Sequence, residues 1–403
     1  MALLKEIADV QTGPFGSQLH KEDYVSVGTP IVTVEHLGNR VFTEQNLPMV
    51  SDEDKERLSK YVLREGDTVF SRVGSVDRCS YVDGKHEGWM FSGRCLRVRP
   101  NNTVDSEYLY YFFTTEDTKQ LIRNIAVGAT MPSINTKILS EVEVPLPDLD
   151  TQRKIASILS AIDEKIEVNN QINRNLSEML AAMYKHDYLE EIANREDWIE
   201  VTMDDITSKF ATGLNPRKNF VLGHGENYYV TIKNMNNNRV YLDSKCDMVD
   251  DEALVKINKR SDLQVGDLLF SGIGTIGRVH LIDEPPTNWN ISESVFTMRP
   301  SEAVSSEFLY LLLLSYDMQD YAVSLASGSV QKGIRMADLK RYKLYLPSKE
   351  DMDKLTSAWK PLIDKIKKHE KENDELVILR DTVLPKLMSG ELDLSELDIQ
   401  LLR

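Results

Sequence analysis

The fold is decided by the stretch DLDTQRKIASILSAIDEKIEVNNQINRNLSEMLAAMYKHDY, which runs from Asp148 to Tyr188. Its apolar side chains recur at steps of three and four residues, the spacing that places them on one face of an α-helix. The stretch contains neither proline nor glycine, so the sequence predicts one long amphipathic helix. Its apolar face consists of Ile155, Leu159, Ile162, Ile166, Ile172, Leu176, Met179 and Met183.

A second stretch of the same kind lies about 200 positions later, from Asp351 to about Met388. Two matching apolar stripes of similar length can bury each other as an antiparallel coiled coil. At about 1.5 Å per residue, each helix would be on the order of 50 to 60 Å long and would act as a spacer. The second stripe consists of Leu355, Leu362, Ile366, Leu376, Leu379 and Val383.

The ends of both helices carry recognisable signals. Each start follows a proline and a capping side chain, at positions 147–148 and 347–348. Gly390 is expected to cap the C-terminal end of the second helix. Pro385 is expected to kink or end that helix slightly earlier, because proline cannot donate the helical hydrogen bond.

Polar residues interrupt both stripes. Asn169 and Asn173 lie in the first, and His369 and Asn373 lie in the second. Antiparallel pairing about the midpoint would bring these four side chains together, and such a buried polar layer specifies register at a cost in stability. The alternative is that they face solvent. The predicted seam comprises Ile155, Ile162, Ile166, Asn169, Asn173, Leu176, Leu362, Ile366, His369, Asn373 and Leu376.

The chain is a tandem repeat with a period of 200 residues. GDTVFSRVGSVDR at 66–78 matches GDLLFSGIGTIGR at 266–278, and SEYLY at 106–110 matches SEFLY at 306–310. A fixed internal period indicates one structural unit used twice. Each copy therefore contains a globular domain of about 145 residues followed by one long helix.

Each globular domain is predicted to be mixed α+β. Pro30–Val34, Thr68–Arg72 and Cys95–Val98 have the composition of strands, and Ser106–Arg123 has helical periodicity. The predicted order is domain, helix, domain, helix and tail. The boundaries are 1–147 for the first domain, 148–190 for the first helix, 191–347 for a linker and the second domain, 348–388 for the second helix and 389–403 for the tail.

Composition restricts the class of protein. The formal charge of −16 over 403 residues argues against a nonspecific polyanion binder, although a local basic surface remains compatible with it. No N-terminal signal is present, and the apolar runs at 108–113 and 308–314 are too short to span a bilayer, so a cytoplasmic protein without membrane contact is expected. Cys79, Cys95 and Cys246 lack the spacing of a disulfide framework or a zinc site.

Catalytic motifs are absent from the sequence. It contains no GxxxxGK[ST] phosphate loop, no GxGxxG after a strand, no HExxH and no GxSxG. Seven histidines are scattered without the spacing of metal ligands. We therefore expect a protein that is not an enzyme and that holds neither a metal nor a cofactor of its own.

Three segments of each copy are candidates for contact with nucleic acid. They are the opening of each domain, the GDxxFSxxG element and the loops at 128–135 and 328–335, and each can equally be scaffold or solvated surface. An arginine occupies the same position in both copies, as Arg78 and Arg278, which suits a shared task such as phosphate contact. Arg72 is replaced by Gly272 in the second copy, which suits copy-specific readout. The candidates in these segments are Ser17, Gln18, Lys21, Arg72, Arg78, Thr130, Asn215, Arg217, Lys218, Arg278, Gln331, Lys332 and Arg335, and Arg40 and Arg239 are two further candidates outside them.

This plan resembles the specificity subunit of Type I restriction-modification systems. The resemblance rests on EVEVPLPDLDTQRKIASILSAIDEKI at 141–166, LRDTVLPKLMSGEL at 379–392, TGPFGSQL at 12–19 and GDLLFSGIGTIGR at 266–278, and it extends over essentially the whole chain. One departure is YLPSKEDMDKL at 345–355, which lacks the Gln-Arg of the first copy, so a contact made there with a partner could differ.

The resemblance implies a non-catalytic subunit that reads double-stranded DNA. Each domain would be a target recognition domain for one half of a split, asymmetric sequence, and the helices would fix the gap. Two methyltransferase subunits, which bind S-adenosylmethionine, would dock on the helices, and restriction subunits would complete the nuclease. Since the chain is acidic, we expect it to bind DNA poorly by itself.

Two rival interpretations are a structural adaptor with two protein-binding domains and an enzyme fused to a DNA reader. The adaptor would be favoured if the surroundings of Arg78, Arg278 and Lys332 were buried or acidic. The fused enzyme would need a methyltransferase or nuclease segment, and the sequence has no Asn-Pro-Pro-Tyr-like tetrapeptide. Neither the DNA target nor the base-contacting residues can be deduced from the sequence.

Overall fold

A computed structural model describes residues 1–14, 16, 18–328 and 332–394. The chain divides into two compact units. Unit 1 combines Met1–Asn169 with the segment from Glu372 onward, and unit 2 is Asn170–Lys371. Each unit holds one globular domain together with parts of both long helices. Within the described residues, no helix is both long and apolar enough to cross a membrane.

The first repeat alternates short strands with helices. Its strands β1 to β10 are, in order, Ala2–Leu3, Ala8–Thr12, Tyr24–Val25, Thr29–Val32, Met49–Val50, Thr68–Ser71, Cys79–Tyr81, Met90–Phe91, Cys95–Pro100 and Glu143–Val144. Its helices α1 to α6 are Leu4–Ile7, Asp52–Arg57, Ser106–Thr114, Glu116–Ile125, Thr136–Ser140 and Leu149–Tyr184. Short 3₁₀ turns occupy Lys21–Asp23, Val34–His36 and Ser59–Tyr61.

The second repeat follows the same order. Its strands β11 to β21 are Ile199–Thr202, Thr207–Thr212, Asn227–Val230, Met235–Asn236, Arg239–Val240, Asp247–Val249, Leu268–Ser271, Val279–Leu281, Trp289–Ile291, Val295–Pro300 and Lys343–Leu346. Its helices α7 to α11 are Asp251–Ser261, Ser306–Leu314, Tyr316–Ser324, Met336–Leu339 and Lys349–Ser389. A π-helical turn at Lys185–Leu189 and 3₁₀ turns at Ile192–Asn194 and Ile232–Asn234 complete the described elements.

The sheets confirm the predicted α+β class and the duplication. An antiparallel sheet has the order β2-β9-β6-β7 in unit 1 and β12-β20-β17-β18 in unit 2. A second sheet has the order β5-β4-β8 in unit 1 and β16-β13-β19 in unit 2. In this sheet β4 pairs in parallel with β8, and β13 pairs in parallel with β19. Strand β3 extends this second sheet in unit 1, whereas unit 2 has the separate pair β14-β15.

One predicted helix is in fact two. Residues Ser106–Arg123 were expected to form a single helix, but the chain turns at Thr115, which is extended. The hydroxyl of Thr115 accepts a hydrogen bond from the backbone N–H of Thr118 at 3.3 Å and so caps α4. Periodicity does not reveal this break, because a threonine that caps a helix and one that lies inside it look alike in sequence.

Pro385 was expected to kink or end α11, but the helix continues past it to Ser389, so the alternative that Pro385 ends the helix is wrong. Leu384 and Leu387 flank the proline and are buried in the core of unit 1, which offsets the lost hydrogen bond. The expected glycine cap is confirmed. Gly390 has a positive φ of 76°, and the N–H of Glu391 reaches back to the carbonyl of Lys386.

The two long helices pair antiparallel inside each unit. In unit 1, Asn169 donates to the side chain of Asn373 at 2.9 Å, and Arg380 donates to Asp163 at 2.8 Å. Moving along α6 from Asp163 to Asn169, the contacting residue in α11 therefore moves back from Arg380 to Asn373, as antiparallel pairing requires. In unit 2 the ring of His369 lies 2.9 Å from the amide oxygen of Asn173.

The polar residues thus lie in the seam. Asn169, Asn373 and His369 are 0%, 7% and 3% exposed, which excludes the solvent-facing alternative for these three. Ile155 and Ile366 are buried as predicted. The other predicted seam residues are half-buried, namely Ile162, Ile166, Asn173, Leu176, Leu362 and Leu376.

The predicted stripe was wrong at three positions. Ile172, Met179 and Leu379 are 37%, 52% and 48% exposed. The buried residues that the stripe omitted include Leu180 and Tyr184 in the first helix and Trp359 and Ile363 in the second. A period of 3.6 residues lets two adjacent stripes fit the same apolar spacing, and only the position of the neighbouring elements decides between them.

Candidate nucleic-acid interface

One edge of the large sheet in unit 1 gathers the predicted loops. Strand β2 ends, β6 ends and β9 begins at this edge, because Thr12 pairs with Leu96 and Ser71 pairs with Cys95. The loop after residue 127 joins them, since the N–H of Gly74 donates to the carbonyl of Pro132 at 2.8 Å. We call this surface the loop edge of unit 1, defined by the described residues of 13–24 together with 72–75, 92–94 and 127–134.

Unit 2 repeats this arrangement. Thr212 pairs with Phe296 and Ser271 pairs with Val295. The N–H of Gly274 donates to the carbonyl of Lys332 at 2.8 Å, as its counterpart does in unit 1. The loop edge of unit 2 is defined by the described residues of 213–220, 272–275, 292–294 and 327–335. The structure therefore brings together, in each unit, the three segments that the sequence marked separately.

The candidate side chains on the loop edge of unit 1 differ in their exposure and in the hydrogen bonds that they already form. Arg72 is half-buried and donates to the hydroxyl of Thr12 at 3.4 Å and to the carbonyl of Gly93 at 3.2 Å. The Gln18 side chain accepts a hydrogen bond from the hydroxyl of Tyr61 at 2.7 Å. Thr130 is exposed. Ser17, Gln331 and the side chain of Lys21 lie outside the described residues.

The loop edge of unit 2 is rich in exposed basic side chains. Arg217, Lys218, Lys332 and Arg335 are all exposed, whereas the side chain of Asn215 donates to Glu293. Sequence reasoning missed Arg260, which donates to the hydroxyl of Thr212 at 3.0 Å. This contact takes the place of the one between Arg72 and Thr12 in unit 1. Only the long-range pairing of the strands reveals it.

Arg78 and Arg278 are used inside their domains. Arg78 donates to the carbonyl of Leu37, and Arg278 donates to the carbonyl of Ile232 at 2.7 Å and to that of Met235. Both guanidinium groups thus satisfy the carbonyls of the turn that follows β4 or β13. This structural task is sufficient to explain why both copies retain the arginine.

Arg40 and Arg239 lie where each domain meets a long helix. Arg40 forms an ion pair with Glu107 and donates to the carbonyl of Ser160 in α6 at 3.4 Å. Arg239 forms an ion pair with Glu370 of α11 at 3.5 Å. Burial raises the pKa of both carboxyl groups, and the arginine charges oppose that rise. These two candidates therefore hold the domains on the helices rather than lining the loop edges.

The sequence is similar to known proteins over most of its length. The family model for the Type I restriction modification DNA specificity domain matches residues 2–178 and 195–377. The Type I restriction enzyme MjaIX specificity subunit of Methanocaldococcus jannaschii is 26% identical over 98% of this chain and 93% of its own length. The HindI specificity subunit of Haemophilus influenzae is 23% identical, covering 83% of this chain and 88% of the relative.

The fold is also similar to a solved structure. The crystal structure of a Type I restriction-modification system S subunit from M. genitalium superposes with a TM-score of 0.58 at 18% identity. The alignment covers 96% of this chain and 95% of that one. The architecture of two domains and two long helices is therefore shared over nearly the full length.

Proposed function

The chain belongs to the family of Type I restriction-modification DNA specificity subunits, and from this premise we propose that it reads a bipartite, asymmetric DNA target. We further propose that it docks two methyltransferase subunits and the restriction subunits. In this proposal the chain performs no chemistry, and S-adenosylmethionine binds the methyltransferase partner. The chain's own residues position DNA against that partner.

The observation that carries this proposal is the duplicated loop edge. Both units present loops from the same ends of the same strands, yet the side chains on those loops differ between the units. Two identical readers would favour a repeated or palindromic site, whereas two different readers favour two unlike half-sites. Joining the readers in one chain raises the effective concentration for the second contact and makes spacing part of the recognised sequence.

Charge favours a subunit that works inside a complex. The net charge of −16 opposes strong binding to a polyanion. The exposed basic side chains of unit 2 supply a local attraction, and partner subunits would supply the rest. We expect the isolated chain to bind its target weakly and with a shallow salt dependence, because it neutralises few phosphates. Tight binding by the lone chain would contradict this part of the proposal.

The test is to express the chain with its cognate methyltransferase subunit and to map N6-methyladenine across the host genome. The proposal predicts a motif of two unlike halves with a fixed gap, which disappears when this chain is deleted and returns on complementation. Unchanged methylation after deletion, in cells with active methyltransferase, would favour the structural adaptor. A second measurement is co-purification of the chain with the methyltransferase and restriction subunits.

A further inference from the structure

A polar groove lies on the loop edge of unit 1, between two short turns. Its volume is about 450 Å³. One wall is the 3₁₀ turn Val34–His36, and the other is the turn 92–94 between β8 and β9. The groove is open to solvent, and the side chains that give it chemical character are Tyr24, Thr33, Glu35, Ser92 and Arg94.

The first wall has an equivalent in unit 2. In unit 1 the N–H of Thr33 donates to the ring nitrogen Nδ1 of His36 at 3.0 Å. In unit 2 the N–H of Thr231 donates to the side-chain oxygen of Asn234 at 2.9 Å. The two turns therefore have the same internal hydrogen bond, and Glu35 occupies the position that Lys233 occupies in unit 2.

The second wall is equivalent as well. The N–H of residue 72 donates to the carbonyl of Arg94 at 2.8 Å, and the N–H of residue 272 donates to the carbonyl of Ser294 at 2.9 Å. The N–H groups of Ser92 and Ser292 each donate to the last residue of the parallel strand beside them, at 2.8 Å. Position 93 thus corresponds to 293, and position 94 corresponds to 294.

The charges on these matched walls are exchanged between the units. In unit 1 the 3₁₀ turn carries the carboxylate of Glu35, and the other turn carries the cation Arg94. In unit 2 the 3₁₀ turn carries the cation Lys233, and the other turn carries the carboxylate of Glu293. Glu35, Arg94 and Lys233 are exposed, and Glu293 is half-buried. A shared frame with reversed charge placement is the arrangement expected of two readers that differ in target.

These charges retain hydrogen-bonding capacity for a ligand. Within the described part of the chain, neither Arg94 nor Lys233 has a hydrogen-bonding partner for its side chain. Glu35 accepts one hydrogen bond, from the hydroxyl of Thr33 at 3.1 Å. Glu293 accepts from the hydroxyl of Tyr229 at 3.1 Å and from Asn215. A carboxylate has about four acceptor sites, so both can accept more.

The difference between the units is also fixed by packing. A Cβ added at Gly272 would lie 2.4 Å from the ring of Phe296, so unit 2 has no room for a side chain like that of Arg72. The residue at the position of Phe296 in unit 1 is Leu96, which leaves space for Arg72 beside the groove. Unit 1 therefore carries a cation at position 72 that the packing of unit 2 excludes at position 272.

We propose that these paired turns are the base-reading elements of the two domains and that each reads a G·C base pair. In the major groove guanine presents the acceptors O6 and N7, which suit arginine or lysine, and cytosine presents the N4 amino donor, which suits a carboxylate. Arg94 with Glu35 matches both bases of one pair. Lys233 with Glu293 matches the same pair with its strands reversed. This inference rests on the proposed function.

The test uses the purified complex of this chain with its methyltransferase subunit. Duplexes carrying the mapped motif are altered at one base pair at a time, and the methylation rate of each is compared with that of the unaltered duplex. At the base pair read by Arg94, the parent complex should methylate the unaltered duplex roughly 10- to 100-fold faster than the altered one. Arg94→Ser and Glu35→Ala should both lose that discrimination, at the same G·C pair, and at no pair of the other half-site.

Three controls keep the test decisive. Lys85→Ser removes an exposed cation from another turn of unit 1 and should leave every discrimination unchanged. Arg94→Lys retains a cation and should retain the preference for guanine. Lys233→Ala should relax one G·C pair in the second half-site alone. Thermal unfolding of each variant identifies any loss of activity that arises from misfolding rather than from recognition.

The outcomes separate the two proposals. This inference alone would be overturned if Arg94→Ser and Glu35→Ala left base discrimination unchanged or relaxed it at an A·T pair. It would also be overturned if a folded variant methylated every duplex more slowly by the same factor. An equal loss would identify Arg94 as a phosphate contact, which carries no sequence information. A motif that persists without this chain would overturn the proposed function, and this inference with it.

Discussion

The two units share a frame and differ at its edge. In unit 1 the carboxylate of Asp67 accepts from the Nε of Arg99 at 2.7 Å, and in unit 2 Asp267 accepts from the Nε of Arg299 at the same 2.7 Å. Both carboxylates are buried next to a glycine turn. These contacts link the start of β6 to β9 in unit 1 and the start of β17 to β20 in unit 2. Their identity in both copies reflects a common scaffold.

The loops beyond that frame diverge. Arg94 corresponds to Ser294, Glu35 corresponds to Lys233, and Arg72 corresponds to Gly272. Within this chain, arginines retained in both copies hold the main chain, whereas exposed residues that differ, such as Glu35 and Arg94, lie on the turns that we propose contact DNA. Arg78 and Arg278 illustrate the first half of the rule, since both donate to carbonyls of their own domain.

The largest effect is expected from breaking the shared ion pair. Asp67→Ala or Asp267→Ala leaves an arginine without its buried partner and also removes an acceptor for a backbone N–H. Each change should lower the free energy of unfolding by about 3 to 5 kcal/mol. Urea unfolding followed by circular dichroism measures it. Asp117→Ala, at an exposed position, is the matched control, and an equally small loss in all three variants would refute a shared frame.

The polar seam should respond differently to single and double changes. Asn169→Ala removes a donor to Asn373 and Glu372 and should cost about 1 to 3 kcal/mol, because polar groups are left unpaired in the seam. Replacing Asn169 and Asn373 together by leucine should cost less than the single change, since a buried polar layer gives specificity rather than stability. Thermal unfolding compares them. A double variant less stable than the single one would show that the layer stabilises the fold.

Acid should destabilise the chain through His280 in unit 2. Burial, followed by the charge of Lys367, lowers the pKa of His280 to about 3, and the equivalent residue in unit 1 is Ser80. The unfolded chain binds a proton at His280 below about pH 6.5, whereas the folded chain does so only near pH 3. Stability from this group is therefore present above pH 6.5 and is lost as the pH falls toward 3, by at most about 1.4 kcal/mol per pH unit.

His280→Gln should flatten this dependence. The measurement is the free energy of unfolding between pH 4 and pH 7 for the parent and the variant. The parent should lose more stability on acidification than the variant over this interval. Parallel curves for the two proteins would contradict a neutral imidazole at this position.

The smallest expected effect concerns the retained arginines. Arg278→Ala should cost about 1 to 2 kcal/mol through the carbonyls of Ile232 and Met235 that lose their donor. It should leave the slope of DNA affinity against salt unchanged in the assembled complex. A slope reduced by about one would show instead that this guanidinium contacts a phosphate. Lys332→Ala is the comparison, because that side chain is exposed on the loop edge of unit 2.

Much of the architecture was predictable because it depends on local patterns. Apolar spacing revealed both long helices, and the period of 200 residues revealed the two α+β domains. The break at Thr115 and the exposure of Ile172 were not predictable, because they depend on which neighbour each face meets. The same limit applies more strongly to the candidate interface.

The interface depends on contacts between distant parts of the chain. The turns that contain Glu35 and Arg94 come together only because β4 pairs in parallel with β8, and no sequence motif marks that pairing. Arg40 and Arg239 were candidates for nucleic-acid contact, yet both form ion pairs next to the long helices. A direct comparison of the two repeats at equivalent positions could have identified Glu35 and Lys233 as exchanged charges.

We propose that one frame, used twice, presents two different readers. The most direct test of this claim is selection from a random duplex library by the purified complex of this chain with its methyltransferase subunit, followed by sequencing of the bound DNA. We expect two unlike half-sites at one fixed gap. Recovery of two copies of the same half-site, or of a single continuous motif, would contradict the claim.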